Sequence, residues 1–298
     1  MLPTSAQSDV TPELLAAPRP TAVCAICEVL DAAPLYKGLV KCRRCGFVFA
    51  DMALSDADLQ ELYARNYFFG GEYKDYVEEE LPLTRDFTDL MALLRPFAPS
   101  GNYLELGAAY GFSLNLASKT YQQAIGVEIN PDACTYARQR FGLDVRQGDF
   151  LTTELPDNHF DVIACWATLE HLQTPHLYIA KIAQLLKPGG VFACTTVDID
   201  GVVPRLRGPK WRQIHPPTHV SYYSRATLKR LMGKYGLEQI HSQYVGAHRS
   251  VDNMLYGIVA LAHNKPGLYQ RLKQLGLTRG TLYLNLFDLN FAVARKPK

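Results

Sequence analysis

The segment Tyr103-Leu104-Glu105-Leu106-Gly107-Ala108-Ala109-Tyr110-Gly111 decides the fold. An apolar run of strand length ends in a loop of small residues, and helical spacing follows from Ser113 to Thr120. Small residues let the backbone turn tightly and come close to a ligand. The alternation then repeats: Ala124 to Ile129 leads into Asp132 to Phe141, and Val145 to Gly148, Phe160 to Trp166, a helix over Pro175 to Leu186, and Val191 to Val197 follow. Strands alternating with helices predict a parallel sheet covered on both faces. Ligands of such sheets sit beyond the carboxyl ends of the strands, so the loops there carry the functional reading.

A dinucleotide fingerprint would need glycines at 107, 109 and 112. The chain has Gly107, Ala109 and Phe112, which argues against a pyrophosphate site. Glu105, two residues before Gly107, suits a ligand with an amino acid portion, whose ammonium it can reach through water or backbone carbonyls. At the end of the second strand, Glu128 in Gly126-Val-Glu128-Ile-Asn130 can accept from both hydroxyls of a ribose. After the third, in Gly148-Asp149-Phe150, the acid can accept from an adenine amino group while the aromatic covers the ring. Three consecutive strand ends thus suit three parts of one nucleoside.

This order of motifs, with Phe160-Asp161 opening the fourth strand, resembles the class I S-adenosylmethionine-dependent methyltransferases over Asn102 to Val197. The resemblance implies a Rossmann-like, seven-stranded, mostly parallel sheet flanked by helices, with S-adenosylmethionine as cofactor. It implies Glu105 and Gly107 at the methionine end, with Ala109 and Gly111 in the same loop, Glu128 at the ribose, and Asp149 with Phe150 at the adenine. Trp166 would stand in the loop that faces the methyl group.

Ahead of this segment, four of the seven cysteines form two knuckles, Cys24-x2-Cys27 and Cys42-x2-Cys45. Two such turns brought together by a hairpin offer four soft sulfurs in a tetrahedron, which suits structural Zn2+ because no coordination position stays open for substrate. Disulfides are the weaker reading in a chain without a secretory leader. Cys45-Gly-Phe-Val-Phe49 and Leu62-Tyr63-Ala-Arg-Asn-Tyr67 are similar to segments of a group of bacterial sugar and secondary-metabolite methyltransferases that begin with a four-cysteine zinc ribbon. The expected division is a flexible tail at 1–20, a zinc ribbon at 21–52, a helical linker at 53–97, and the methyltransferase domain at 98–298 with insertions at 198–224 and 249–284. The linker contains Tyr67, Phe68, Phe69, Tyr73 and Tyr76 around Gly70-Gly71, which suits either core packing or a mobile lid. A sixth strand is expected over Leu237 to Val245 and an antiparallel seventh over Leu289 to Ala294. Between them, the stripe Met254, Leu255, Ile258, Val259, Leu261 reads as core or as the face of a homodimer.

Methyl transfer is an in-line displacement, so the protein must chiefly orient the acceptor and, for a hydroxyl or acidic carbon, remove a proton. Histidine is the natural base. The fourth strand runs into Glu170-His171, and the segment Trp211-Arg-Gln-Ile-His215-Pro-Pro-Thr-His219-Val-Ser-Tyr222-Tyr223 reads as a rigid strap over a pocket. His171 and His219 are the candidate bases, with Trp211, His215, Tyr222 and Tyr223 against the acceptor. The chain has neither Asp/Asn-Pro-Pro-Tyr/Phe at that strand end nor Pro-Cys, which favours a hydroxyl, amine or activated carbon of a small molecule over a planar base. With 31 Lys and Arg against 29 Asp and Glu, net charge is +2, too balanced for a dedicated nucleic-acid or membrane-surface binder. No apolar run approaches the roughly 20 residues a bilayer requires, and a cytoplasmic protein is expected. Two alternatives stand beside this reading. One is an RNA methyltransferase, if Arg43, Arg44, Arg205, Arg207, Lys210 and Arg212 share a face; the other is a catalytically silent nucleoside-binding scaffold.

Overall fold

Five strands make the core of the sheet. They are β4 (Asn102–Leu106), β5 (Gln123–Glu128), β6 (Asp144–Gln147), β7 (Phe160–Trp166) and β8 (Leu186–Val197), all parallel. Those flanked on both sides are apolar towards both faces, while the edge strand β6 is mostly polar. Two long strands complete the sheet: β11 (Thr281–Arg295) runs antiparallel to β8, and β10 (Glu238–Ser250) runs antiparallel to β11. The order β10-β11-β8-β7-β4-β5-β6 is the expected seven-stranded, mostly parallel sheet. The computed structural model describes residues 23–36, 38–52, 55, 58, 62, 76–256, 258, 259 and 263–298. The tail at 1–20 and the aromatics Tyr67, Phe68, Phe69 and Tyr73 with Gly70-Gly71 lie outside these residues. Ser55 and Asp58, the described ends of the predicted helix cap, exchange side-chain hydrogen bonds.

Alternation along each strand sends successive side chains into two separate cores. On one face Tyr103, Val162 and Val191 pack with Leu90 and Leu94 of the helix Glu80–Leu94 and with Leu114 and Ala137. On the other, Leu104, Ile125 and Phe192 pack with Ile179, Ile182 and Leu228, and with Cys24, Ile26 and Phe47 from the front of the chain. Helix ends follow local chemistry. Asn130 accepts from the Ala133 N–H at 2.9 Å, Pro131 opens the helix Pro131–Phe141, and Gly142 closes it at φ +69°.

The front module is an antiparallel sheet of β1 (Ala32–Tyr36), β2 (Leu39–Cys42) and β3 (Val48–Ala50). Its fourth strand is β9 (Ser221–Tyr222), which belongs to the connection after β8. The Ala50 N–H continues the pairing to Val220 O at 2.8 Å. Residues 198–224 are therefore docked on the ribbon, and only Arg212, Gln213 and His219 of the segment reach the cavity described below. Trp211, Tyr222 and Tyr223, expected to face an acceptor, are 2%, 0% and 1% exposed. Trp211 and Tyr222 pack on Leu39 and Val48, and Tyr223 lies 5.3 Å from the Phe47 ring. Their apolar area is spent joining the ribbon to the sheet.

β10 and β11 run well past their expected ends. Beyond Val245 the register slips, so that Ala247 pairs with Leu284 and Ser250 with Thr281. Phe287 takes φ +54° at this bulge, its N–H donating to the Asn285 side chain. The hairpin tip is bridged by the helices Val251–Leu255 and Pro266–Gln274. Of the predicted apolar stripe, Met254, Leu255 and Val259 are half-buried and Ile258 is 51% exposed, while Leu261 lies outside the described residues. Among the described residues no helix is long and apolar enough to cross a membrane.

Gly111, just before the helix Phe112–Ala117, has φ +83°, and a Cβ there would lie 2.8 Å from both Ala137 Cβ and Leu143 Cδ1. Gly111→Ala is expected to cost about 2–4 kcal/mol from left-handed strain plus overpacking, seen as a lower urea midpoint with unchanged slope.

Candidate active site

The strand order reverses direction between β4 and β7, and a cavity of about 1070 Å3 opens there at the carboxyl ends of the parallel strands. Glu105, Gly107, Ala109, Glu128, Asp149, Phe150, Trp166, His171 and His219 all line it. Gly111, Trp211, His215, Tyr222 and Tyr223 are not among its lining residues. Gly111 serves helix packing, as described above, and His215 sits behind His219 with ring centroids 4.0 Å apart.

Glu128 organises the part of the cavity at the ends of β4 and β5. Its two carboxylate oxygens accept the N–H of Ala109 and of Asn130, each at 2.8 Å, which ties the loop after β4 to the end of β5. Burial pushes the Glu128 carboxyl up, and these donors oppose that. A carboxylate has about four lone-pair sites, so capacity remains for hydroxyls. Ala109 is held at φ +45°. Gly107 is glycine for a reason other than ligand approach: at φ +74°, a Cβ would stand 2.6 Å from Thr168 Oγ1 in the loop after β7.

Beyond β6, Asp149 Oδ1 accepts the Leu151 N–H at 2.5 Å and Oδ2 accepts the Tyr178 hydroxyl at 3.2 Å. Phe150 stacks on Tyr178 with centroids 5.9 Å apart, a flat wall of the kind an adenine ring needs. At the opposite end Glu105 accepts the Tyr103 hydroxyl at 3.0 Å, and Trp166 Nε1–H donates to the same hydroxyl at 3.3 Å. Burial, with the Glu128 charge as a minor contribution, raises the Glu105 carboxyl to about 8.

Beside these acids lies a histidine pair. His171 Nδ1 is 2.8 Å from Thr218 O, and His219 Nδ1 is 3.1 Å from Gln213 O. Carbonyl partners assign the proton to Nδ1 in both rings. Glu170, buried next to them, accepts the Thr196 hydroxyl at 2.8 Å. One of its oxygens and one ring nitrogen of each histidine lie within 4.8 Å of one another. Burial lowers His171 to about 4 and pushes His219 well below the usual imidazole range, so both are neutral at pH 7.

The sequence reading missed the opposite wall. There His248 Nδ1 bonds Asp86 Oδ1 at 2.8 Å while the His248 backbone N–H donates to the same oxygen at 2.6 Å. Both residues line the cavity. Nothing in the chain pairs residues 162 positions apart, so no sequence signal could have joined them. In the front module, the sulfurs of Cys24, Cys27, Cys42 and Cys45 lie within 4.8 Å of one another, with Cys24 and Cys45 at 3.5 Å. A tetrahedron with metal–sulfur bonds of 2.3 Å has edges of about 3.8 Å, so the four thiols fit one zinc ion.

A carboxyl raised above its ordinary 4.5 by burial stabilises the fold below that pH, and the contribution is lost as pH rises through about 8. Glu105→Gln is expected to flatten the fall in melting temperature between pH 5 and 9. An unaltered profile would show that the carboxyl ionises normally.

Residues 76–242, more than half of the chain, match the model of a family described as a methyltransferase domain. A probable S-adenosylmethionine-dependent methyltransferase of Mycolicibacterium smegmatis is 29% identical over 94 residues, covering 31% of this chain and 37% of the relative. A fatty-acid O-methyltransferase of the same organism is 28% identical over 121 residues, covering 37% and 40%. The match thus spans about two fifths of these relatives' length. The crystal structure of a SAM-dependent methyltransferase from Thermotoga maritima superposes with a TM-score of 0.52 at 18% identity, covering 74% of this chain and 94% of that one. The fold, the three furnished strand ends and the extent of the family match agree, and the chain belongs to the methyltransferase-domain family.

Proposed function

We propose that the protein transfers a methyl group from S-adenosylmethionine to a hydroxyl, amine or activated carbon of a small biosynthetic intermediate, such as a nucleotide-linked sugar or a secondary metabolite. The observation that carries this reading is the convergence of Glu105, Glu128 and Asp149 with Phe150 on one cavity that also holds a neutral histidine pair. The donor set fits the cofactor part by part. Glu105 would meet the ammonium, Glu128 the ribose hydroxyls, and Asp149 the adenine amino group while Phe150 covers the ring. When bound, the cofactor supplies a methyl carbon already activated by its sulfonium.

The remaining work belongs to the chain. Trp166 and Thr168 line the cavity beside the histidine pair and would stand against the methyl group. A neutral imidazole can take the acceptor's proton as the new bond forms, and His219 and His171 are the residues to do so. In His219, with Nδ1 committed to a carbonyl, Nε2 would receive it, whereas His171 also meets the Ala167 backbone. The four cysteines would hold structural zinc, remote from the transfer, and stiffen the module whose sheet includes Ser221 and Tyr222.

Titration of S-adenosylhomocysteine is expected to give saturable binding that weakens at least tenfold in Glu128→Ala. Close to one proton should be released per ligand bound at pH 7 as Glu105 ionises, read from calorimetry in buffers of different ionisation enthalpy. Absence of binding to wild-type protein would end the proposal. In labelled-methyl transfer to a small-molecule extract, His219→Ala or His171→Ala should lower turnover by about 100-fold or more while S-adenosylhomocysteine affinity stays within threefold. Undiminished turnover in both would dismiss the histidine base.

Elemental analysis is expected to find one zinc per chain, lost in Cys42→Ser. Chelation should lower the melting temperature and expose Trp211, measurable as a red shift of its fluorescence.

A further inference from the structure

A pocket for one drug-sized ligand measures about 300–1,000 Å3, and this cavity, at about 1070 Å3, exceeds that range. The strand ends at 105, 128 and 149 furnish one half of it. The other half lies between the helix Glu80–Leu94 and the extended hairpin of β10 and β11. Here Leu83, Phe87 and Leu90 from the helix and Val245, Ala247 and Leu284 from the hairpin line the walls.

The polar groups of this half are mostly engaged with one another. Asp86 holds His248, and the Glu79 carboxylate accepts the Asn253 amide. The carboxylates of Glu79, Asp86, Asp89 and Asp288 line the cavity against two guanidinium groups, Arg212 and Arg249. A phosphate would meet more like charge than opposite charge. An apolar body would instead gain burial on both sides. β11 carries the same character to the surface, where Leu282, Tyr283, Leu284, Leu286 and Phe287 are 50%, 51%, 38%, 43% and 48% exposed. Of these, Tyr283, Leu284 and Leu286 line the cavity itself and make its rim apolar.

We propose that the methyl acceptor is a phosphate-free amphiphile, with its apolar body between the helix Glu80–Leu94 and the β10–β11 hairpin and a hydrogen-bonding group on His248. This narrows the function proposed above and rests on it. Asp86 takes both the Nδ1–H and the backbone N–H of His248, which fixes the ring and its tautomer and leaves Nε2 to the acceptor. His248 is thus an acceptor-binding residue and Asp86 a positioning residue.

The test uses the full chain saturated with S-adenosylhomocysteine and a calorimetric series of hexan-1-ol, octan-1-ol and decan-1-ol, with UDP-glucose as the phosphate-bearing comparison. Each buried methylene adds about fourfold in affinity, so binding should tighten steeply along the series, while UDP-glucose should not bind. Ala247→Trp, which fills the apolar half, should abolish alkanol binding with S-adenosylhomocysteine affinity unchanged, the latter also proving that the variant folds; Leu83→Glu provides a second block. His248→Ala should weaken octan-1-ol three- to tenfold, and His248→Gln should restore part of the loss. UDP-glucose binding without alkanol binding, affinity independent of chain length, or alkanol binding that survives Ala247→Trp would each overturn the proposal. Failure of S-adenosylhomocysteine to bind would overturn the methyltransferase reading itself, and the same alkanol series on the ligand-free protein would then judge the apolar half on its own.

Discussion

The carboxylate of Glu128 is the constraint on which the site depends. By accepting the N–H of Ala109 and of Asn130, each at 2.8 Å, it joins the loops of two adjacent strands. Ala109 at φ +45° is a conformation that the loop would not hold unaided, whereas Gly107 takes φ +74° without strain. The bend presses Gly107 against Thr168, so a third loop takes its position from the same carboxylate. Asn130, whose N–H Glu128 holds, also caps the helix Pro131–Phe141 with its side chain, and Ala137 of that helix leaves room only for glycine at 111. One buried acid thereby sets the shape of the loop, the start of a helix and the gap between β4 and β7.

The front module has a comparable influence on the other half of the site. β9 lies two residues beyond His219 and is paired to β3 of the ribbon. On its other side the Val220 N–H donates to Glu170 O at 2.9 Å, and the Ser221 hydroxyl to Leu172 O at 2.7 Å. The segment is therefore clamped between the ribbon and the turn carrying Glu170 and His171. The 4.7 Å separation of the His171 and His219 rings follows from that clamp rather than from direct attraction between two imidazoles. Metal at the four cysteines would act on the chemistry only through this path, by fixing the sheet to which Ser221 and Tyr222 belong.

Much of this was legible in the chain, for identifiable reasons. Strand and helix periods are local properties, so the central sheet from Asn102 to Val197 could be read directly, as could Glu105, Glu128 and Asp149, which sit at fixed offsets from strand ends. The cysteine knuckles were equally local. Trp211, Tyr222 and Tyr223 were misplaced because a cluster of aromatics reads alike whether it covers a ligand or fills a core. Which occurs depends on Val48 and Leu39, about 170 residues earlier in the chain. Asp86 and His248 left no trace for the same reason: their pairing arises only when the helix Glu80–Leu94 meets a hairpin whose length was underestimated. That hairpin was cut short because Leu282 to Phe287 lacks the alternation of a half-buried strand, being apolar on both faces and exposed.

Charge explains why the site is built from groups that resist ionising as they stand. Glu105 and Glu128 are 2% and 6% exposed, burial raises both carboxyls, and neutral histidines stand beside them. Several carboxyls taken out of water together destabilise the fold when ionised. A ligand carrying both a sulfonium and an ammonium would relieve exactly that deficit in electrostatic terms, since each positive charge makes a nearby carboxylate easier to keep ionised. Binding and ionisation would then be linked, because a cation beside Glu105 would favour loss of its proton to solvent. Once the methyl group has left, the sulfur is neutral and half of the compensation is gone. The same buried acids would therefore hold the charged donor more tightly than the spent one, which favours release of the latter.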